Sequence, residues 1–240
     1  MTELMYHSDS YLNRFEAKVM GTDGENHGVI LDCTAFYPGG GGQPADLGRI
    51  IASSGVYPLK RARKIGPELV HILEGAESLP EVGEIVTGEL DWDHRYRLMR
   101  THTAMHILCG VIFRDYGASV TGGDMEPLKG RMDFEFETMR KELVDEIEEA
   151  INREVEADRP VAVDILPREE AFQIPDLIRT KINLLPPGIE LVRVVEIEGL
   201  DLQADGGTHV RSTSEVGCIR VVDYKSKGKI NKRIYVELDE

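Results

Sequence analysis

Short apolar runs, broken at close intervals by glycine and aspartate, occupy about the first 90 residues. Phe15-Glu-Ala-Lys-Val-Met20, Gly28-Val-Ile-Leu-Asp-Cys33, Gly48-Arg-Ile-Ile-Ala52 and Leu69-Val-His-Ile-Leu73 alternate or run apolar over strand lengths. No helical period of 3.6 interrupts them. The pattern predicts a small barrel or sandwich, closed by a last strand over Val82–Leu90.

The periodicity changes at Asp91. From Asp93 to about Tyr116, Leu98, His102, Met105, His106 and Cys109 recur at helical spacing. A strand-like run follows at Arg131–Phe136. A second helix is then expected to start at a Thr138 cap and continue to about Asp158, with Leu143, Ile147, Ala150, Ile151 and Val155 on one stripe. Pro160 ends it. Val161–Ile165 reads as a strand and Arg168–Phe172 as a short helix. Ile189–Val195, Gly217–Asp223 and Arg233–Leu238 read as closing strands. The expected fold class is α+β. A β-barrel domain at 1–90 precedes a domain at 91–240 with helices on a mostly antiparallel sheet.

The 240 residues, with 41% hydrophobic and 30% charged side chains, suit one large domain or two modest ones. No apolar run approaches the roughly 18–20 residues that span a bilayer. The first residues, Met1-Thr2-Glu3-Leu4-Met5-Tyr6-His7, have neither the basic nor the apolar region of a secretory leader. Cys33, Cys109 and Cys218 are too few and too scattered for a disulfide framework, so a reducing cytoplasm is expected. A net charge of −15 argues against a general nucleic-acid binder. The acids concentrate over Glu135–Glu156, as on a solvated helix face. Two basic clusters stand apart from them: Lys60, Arg61, Arg63 and Lys64, and Lys225, Lys227, Lys229, Lys232 and Arg233.

Candidate chemistry centres on histidine. His102 and His106 lie four residues apart and therefore share one helix face, where both can reach one ion. Zincin proteases use the same spacing, but they place a glutamate directly after the first histidine as general base. Thr103 stands there in this sequence. Far downstream, Asp205-Gly-Gly-Thr-His209 offers a carboxylate and a third imidazole, with Gly206 and Gly207 expected to supply a turn that other residues resist. Zn²⁺ is the cation that best suits an imidazole-rich site. Its fourth ligand is left open between Asp205, Cys218 and water. Cys218 also reads as a small buried thiol in an apolar strand.

These residues carry a family resemblance. His102-x-x-x-His106, followed by Gly-Gly-Thr-His209-Val, resembles the editing domain of alanyl-tRNA synthetase and the free-standing AlaX proteins that share it. Thr34-Ala-Phe-Tyr37-Pro-Gly-Gly-Gly-Gly-Gln43-Pro-Ala-Asp46-Leu-Gly48 resembles the family's glycine-rich motif. Lys227-Gly-Lys229-Ile-Asn231-Lys-Arg233 resembles its closing basic segment. The motifs appear in order over nearly the whole chain, as in the medium-length form. One position departs from the family: Asp205 stands where a cysteine is usual.

The resemblance implies hydrolysis, at one zinc ion, of the ester joining a wrong amino acid to alanine tRNA, with Ser-tRNA(Ala) as substrate and Gly-tRNA(Ala) as a second that the site discriminates less sharply. It implies Thr34 as partner of the serine hydroxyl and places Gln43 in motif architecture facing the site. Acceptor-stem contacts are expected in part from Lys225, Lys227, Lys229, Lys232 and Arg233. A deacylase for another mischarged tRNA, or a non-catalytic tRNA- or metal-binding remnant, are the competing readings.

Overall fold

The computed structural model describes residues 2–75, 78–179, 185 and 188–240. The chain divides into two compact units, Met1–Tyr96 and Arg97–Glu240. Among the described residues no helix is long and apolar enough to cross a membrane.

The first unit is a closed antiparallel barrel. Its strands are β2 (Arg14–Asp23), β3 (Gly28–Leu31), β5 (Gly48–Ala52), β6 (Gly55–Ile65), β7 (Glu68–Leu73) and β8 (Ile85–Leu90), in the order β2-β3-β7-β6-β5-β8. β1 (Glu3–Leu4) and β4 (Cys33–Thr34) form a short parallel pair beside them. Alternation fills the barrel, as Phe15, Ala17 and Val19 of β2 turn inward to join Leu31, Phe36, Ile50, Leu59, Ala62 and Val86. Closure removes the exposed edges of an open sheet. The strand β6 has no counterpart in the apolar pattern. Pro58 and four cations mask it in sequence, and a bulge between Leu59 and Arg61 resets its alternation.

Between β4 and β5 the chain runs through the glycine-rich loop. Gly39, Gly40, Gly41 and Gly42 all adopt positive φ, a path that side chains with a Cβ resist. Its base is clamped by a buried ion pair. Asp46 accepts the Tyr37 N–H at 2.6 Å and the Arg95 Nε–H at 2.8 Å, and Arg95 Nη2 also meets the carboxylate. Arg95, fully buried, further donates to the carbonyls of Ser10 (2.9 Å) and Ala35 (2.6 Å). The guanidinium thus ties three stretches of the first unit to one point.

In the second unit, β9 (Val120–Glu126), β10 (Lys129–Glu135), β14 (Ile219–Ser226) and β15 (Asn231–Leu238) form an antiparallel sheet ordered β14-β15-β10-β9. A second antiparallel sheet joins β11 (Val161–Pro167), β12 (Leu191–Ile197) and β13 (Asp201–Ala204). The helices are α1 (Trp92–Tyr116, with the unit boundary inside its second turn), α2 (Lys141–Glu156) and α3 (Arg168–Ala171). The architecture is the expected α+β class. From Thr101 to Ile112 every residue of α1 is buried, as in a core helix surrounded on all sides. The helix α2 buries Val144, Ile147, Ala150, Ile151 and Val155. Leu143, expected on that stripe, is only half-buried, and Val144 takes its place. Thr138 does not cap α2 either: the N-cap is Arg140, without a side-chain cap. Most of the acidic face is solvated, except Glu154, which is buried between Arg114 and Arg159 (2.5 Å from the latter).

Removing one half of a buried ion pair leaves the other charge without compensation, at a cost of about 3–5 kcal/mol. Arg95→Ala is therefore expected to lower the stability of the protein by that amount in chemical denaturation. Arg95→Met with Asp46→Leu should recover part of the loss, whereas equal losses for single and double variants would contradict the clamp.

Candidate metal centre and the glycine-loop unit

Three imidazoles and one carboxylate converge in the second unit. The ligating atoms of His102, His106, Asp205 and His209 all lie within 4.8 Å of one another. The His102 ring stacks on His209 at 4.2 Å between centroids, and His106 packs edge-on against both, at 5.1 Å and 4.7 Å. The three histidines are buried, at 4%, 6% and 3% exposure in chain order.

Each donor is aimed by a neighbour. His106 Nδ1 lies 3.0 Å from Asp201 Oδ2, which leaves Nε2 for the cluster. Asp201, on β13, also accepts from Gln203 Nε2 at 2.7 Å. Gly110 permits this approach, because a Cβ there would come within 3.0 Å of the Asp201 Cβ. His209 directs Nε2 to Asp205 Oδ2 at 3.1 Å and Nδ1 to the Thr103 hydroxyl at 3.1 Å. That hydroxyl also accepts the Val210 N–H at 3.3 Å. Thr103, standing where a zincin has its glutamate, thus orients an imidazole from the other half of the site.

The loop carrying Asp205 is held by hydrogen bonds, not by unusual glycine conformations. Neither Gly206 nor Gly207 has a positive φ, contrary to the expectation from sequence. Instead the Gly207 N–H donates to Asp205 Oδ2 at 2.7 Å, a side-chain-closed turn. Buried Arg193 donates to the Asp205 carbonyl at 2.9 Å. Cys218 stands outside the cluster and is exposed, not buried, immediately before β14.

Electrostatics set the donors in the form a cation needs. Burial pushes His102 down to about 4 and His209 well below the usual imidazole value. Burial, the largest influence on His106, disfavours its charge, but the hydrogen bond to Asp201 and the charges of Asp201 and Asp205 together outweigh it and raise that pKa. For Asp205, burial alone would raise the pKa, yet the surrounding histidines, His102 first, hold it well below the carboxylate range. Two neutral imidazoles and an ionised carboxylate, joined by a third imidazole whose Nδ1 is engaged by Asp201, are a donor set that fits Zn²⁺.

Thr34 and Gln43 belong to the first unit. Thr34 is fully buried on β4, and its hydroxyl accepts the Phe36 N–H at 3.1 Å and lies 2.8 Å from His71 Nε2. His71 Nδ1 faces the Val29 carbonyl at 3.3 Å, so the proton sits on Nδ1 and the Thr34 hydroxyl donates to Nε2. Gln43 is buried in the glycine loop, where its backbone pairs with that of Gly40. The basic hairpin at the end of the chain is largely neutralised by its own unit. Lys225 pairs with Asp223 at 2.8 Å, and Arg233 holds Asp133 at 2.6 Å and 2.8 Å. Lys232 is buried against the carbonyls of Gly228 and Lys229. Lys227 and Lys229 remain exposed.

Both units have counterparts among the aminoacyl-tRNA synthetases. Residues 192–235, which include Asp205 and His209, match the family described as threonyl and alanyl tRNA synthetase second additional domain. Residues 9–94 match tRNA synthetases class II (A). The fold and site therefore define a protein assembled from synthetase-type modules. The alanyl-tRNA editing protein AlaX-M of Saccharolobus solfataricus is 42% identical over 98% of both chains, and that of Methanosarcina acetivorans 36% identical over 99% of both. The alanine–tRNA ligase of Ignicoccus hospitalis is 38% identical over 92% of this chain but only 24% of the ligase. The chain belongs to the AlaX-M family of alanyl-tRNA editing proteins.

Asp201 and Thr103 have no signature in the sequence, because each acts through a histidine rather than on the ion. Outer partners of this kind are worth about 10–100-fold in metal affinity. Asp201→Ala is expected to weaken Zn²⁺ binding by about that factor in chelator competition, while Asp201→Asn, which can still accept from His106, retains part of it. Equal affinities for all three proteins would remove Asp201 from the site.

His71 carries a separate expectation. Burial lowers its pKa to about 4, below the unfolded value of about 6.5, so the unfolded chain takes up a proton that the folded one refuses. Its contribution is complete above about pH 6.5 and is lost between there and about pH 4, on the order of 3 kcal/mol. Denaturation curves across that window should flatten in His71→Gln relative to the wild type. Parallel curves would contradict the assignment.

Proposed function

We propose that this protein is a trans-editing deacylase that hydrolyses the ester of Ser-tRNA(Ala), and also accepts Gly-tRNA(Ala), with one Zn²⁺ held by His102, His106, His209 and Asp205. The observation that carries the reading is the buried three-imidazole, one-carboxylate donor set in a full-length relative of alanyl-tRNA editing proteins. The three free cysteines suit a reducing cytoplasm, where tRNA is charged.

Bound there, Zn²⁺ supplies a Lewis acid for an ester carbonyl. The chain's own residues supply order and dryness. Asp201 and Thr103 fix His106 and His209 in single orientations, so the donors need no reorganisation during reaction. Burial of the three rings keeps the local dielectric low and strengthens their electrostatic effect. Aspartate at 205 is a harder ligand than the family's usual cysteine, and leaves more positive character on the ion.

Serine selectivity is assigned to Thr34. A site that hydrogen-bonds the serine hydroxyl leaves its own polar group unpaired when alanine enters, which sets the two substrates apart. With its proton committed to His71, the Thr34 oxygen acts as the acceptor for a serine hydroxyl. Gln43 serves the glycine loop beside it, and exposed Lys227 and Lys229 contact the tRNA backbone.

Release of serine from Ser-tRNA(Ala), with Ala-tRNA(Ala) as control, tests the reading. Zinc-loaded wild type is expected to release serine and spare alanine, and His106→Ala to lose at least about 100-fold. Thr34→Val should narrow the serine-to-alanine ratio. No serine release by zinc-loaded protein would overturn the proposal, and an unchanged ratio in Thr34→Val would make Thr34 a barrel hydrogen-bond residue alone. Release from a mischarged threonine tRNA instead would favour the other branch of the matched domain family.

A further inference from the structure

Strand β6 carries a group of cations that the site does not use. Residues Gly55–Ile65 contain Lys60, Arg61, Arg63 and Lys64 and no acid, in a chain of net charge −15. All four are exposed. None forms an ion pair among the described residues, whereas Arg49 and Arg95 of the same unit are both paired with acids. The contrast with the carboxy-terminal hairpin is direct: there, three of the five basic residues are taken up by Asp223, Asp133 and two backbone carbonyls.

The backbone of β6 brings this display about. With Leu59 pointing into the barrel, strict alternation would turn Arg61 and Arg63 inward as well. The bulge between Leu59 and Arg61 inserts one residue, so that Ala62, fully buried, takes the inward position. Lys60, Arg61 and Arg63 are thereby all left outside. β5 pairs only with Gly55–Leu59, so the basic half of β6 is bonded to β7 alone. Opposite Arg61 and Arg63 on β7 stand the uncharged Ile72 and Val70, and the nearest acids in sequence, Glu68 and Glu74, lie at the ends of the pairing. The basic stretch covers about 13 Å of strand.

We infer that the outer face of β6 formed by Lys60, Arg61 and Arg63, with exposed Lys64 near the strand's end, is a docking surface for the phosphate backbone of RNA, namely the body of the tRNA whose ester the proposed reaction cleaves. The inference rests on the tRNA reading given above. Its physical basis is charge complementarity: four unpaired cations on one stretch of strand release counterions from a polyanion and read no bases. Phosphate contacts of this kind hold a tRNA in register without selecting its sequence. The face adds to affinity rather than to the choice of amino acid.

Charged residues on a part-open strand also discourage strand addition between copies, so the test reads RNA affinity and its salt dependence, not solubility. The probe is an unmodified alanine-tRNA transcript titrated with wild type, with Lys60→Glu/Arg61→Glu/Arg63→Glu, with the milder triple glutamine variant, and with Lys141→Glu on α2, a lysine paired with Asp145, as a control. Each variant is first checked for a wild-type thermal transition. The glutamate triple is expected to bind at least about 10-fold more weakly near 0.1 M salt, with a log–log salt slope shallower by about 2–3. The glutamine triple should lie between, and Lys141→Glu should stay near wild type. If wild type binds and both folded triples match it in affinity and slope, the β6 surface is wrong while the tRNA reading stands. If wild type itself does not bind the transcript, both fail together.

Discussion

Three buried imidazoles and a partly buried carboxylate, their ligating atoms within 4.8 Å of one another, form the constraint around which the second unit is organised. Such a group is costly to bury unless each member is partnered and at most one carries charge. The surrounding residues meet that condition closely. Asp201 takes the outer nitrogen of His106, Thr103 that of His209, and Arg193 the Asp205 backbone. Two elements distant in sequence, the fully buried middle of α1 and the loop after β13, must meet for this to happen. What results is a cluster of nitrogen and oxygen donors gathered around one point, an arrangement that could hold a metal ion.

The first unit solves a similar problem by other means. Four successive glycines at positive φ make a loop with little intrinsic order, and the Arg95–Asp46 pair fixes where it leaves and rejoins the barrel. Above it, His71 is kept neutral by burial and sets the polarity of the Thr34 hydroxyl through a single tautomer. Both units thus use a buried polar group to fix a neighbour that an apolar contact could not orient.

Much of this was legible in the sequence, and the failures have physical causes. The histidine pair follows from helical spacing, and the barrel strands from alternation with glycine punctuation. The strand β6 was hidden because its bulge and its cations break the period-2 pattern at the point where it carries charge outward. β9 has two glycines in seven residues and carries β-branched side chains only at its start, Val120 and Thr121, too few to mark a strand. Asp201 and Thr103 act through other side chains, and a single sequence does not register such second-order contacts. Reading Gly206-Gly207 as a conformational necessity overlooked the simpler closure by the Asp205 carboxylate itself. At the end of the chain, Asp133 becomes the neighbour of Arg233 only once β10 and β15 pair, whereas Asp223 stands two residues before Lys225 on the same strand.

Asp205 remains the residue that distinguishes this chain from the usual family pattern, and its role as ligand is the central claim about the site. X-ray absorption at the zinc K edge of the purified, zinc-loaded protein addresses it without reference to activity. The account predicts a first shell of nitrogen and oxygen only, at about 2.0–2.2 Å, with the outer scattering of imidazole rings and no sulfur. A sulfur contribution near 2.3 Å would contradict it, because no thiol lies in the cluster and a zinc–sulfur bond requires a different arrangement of the loop around Asp205.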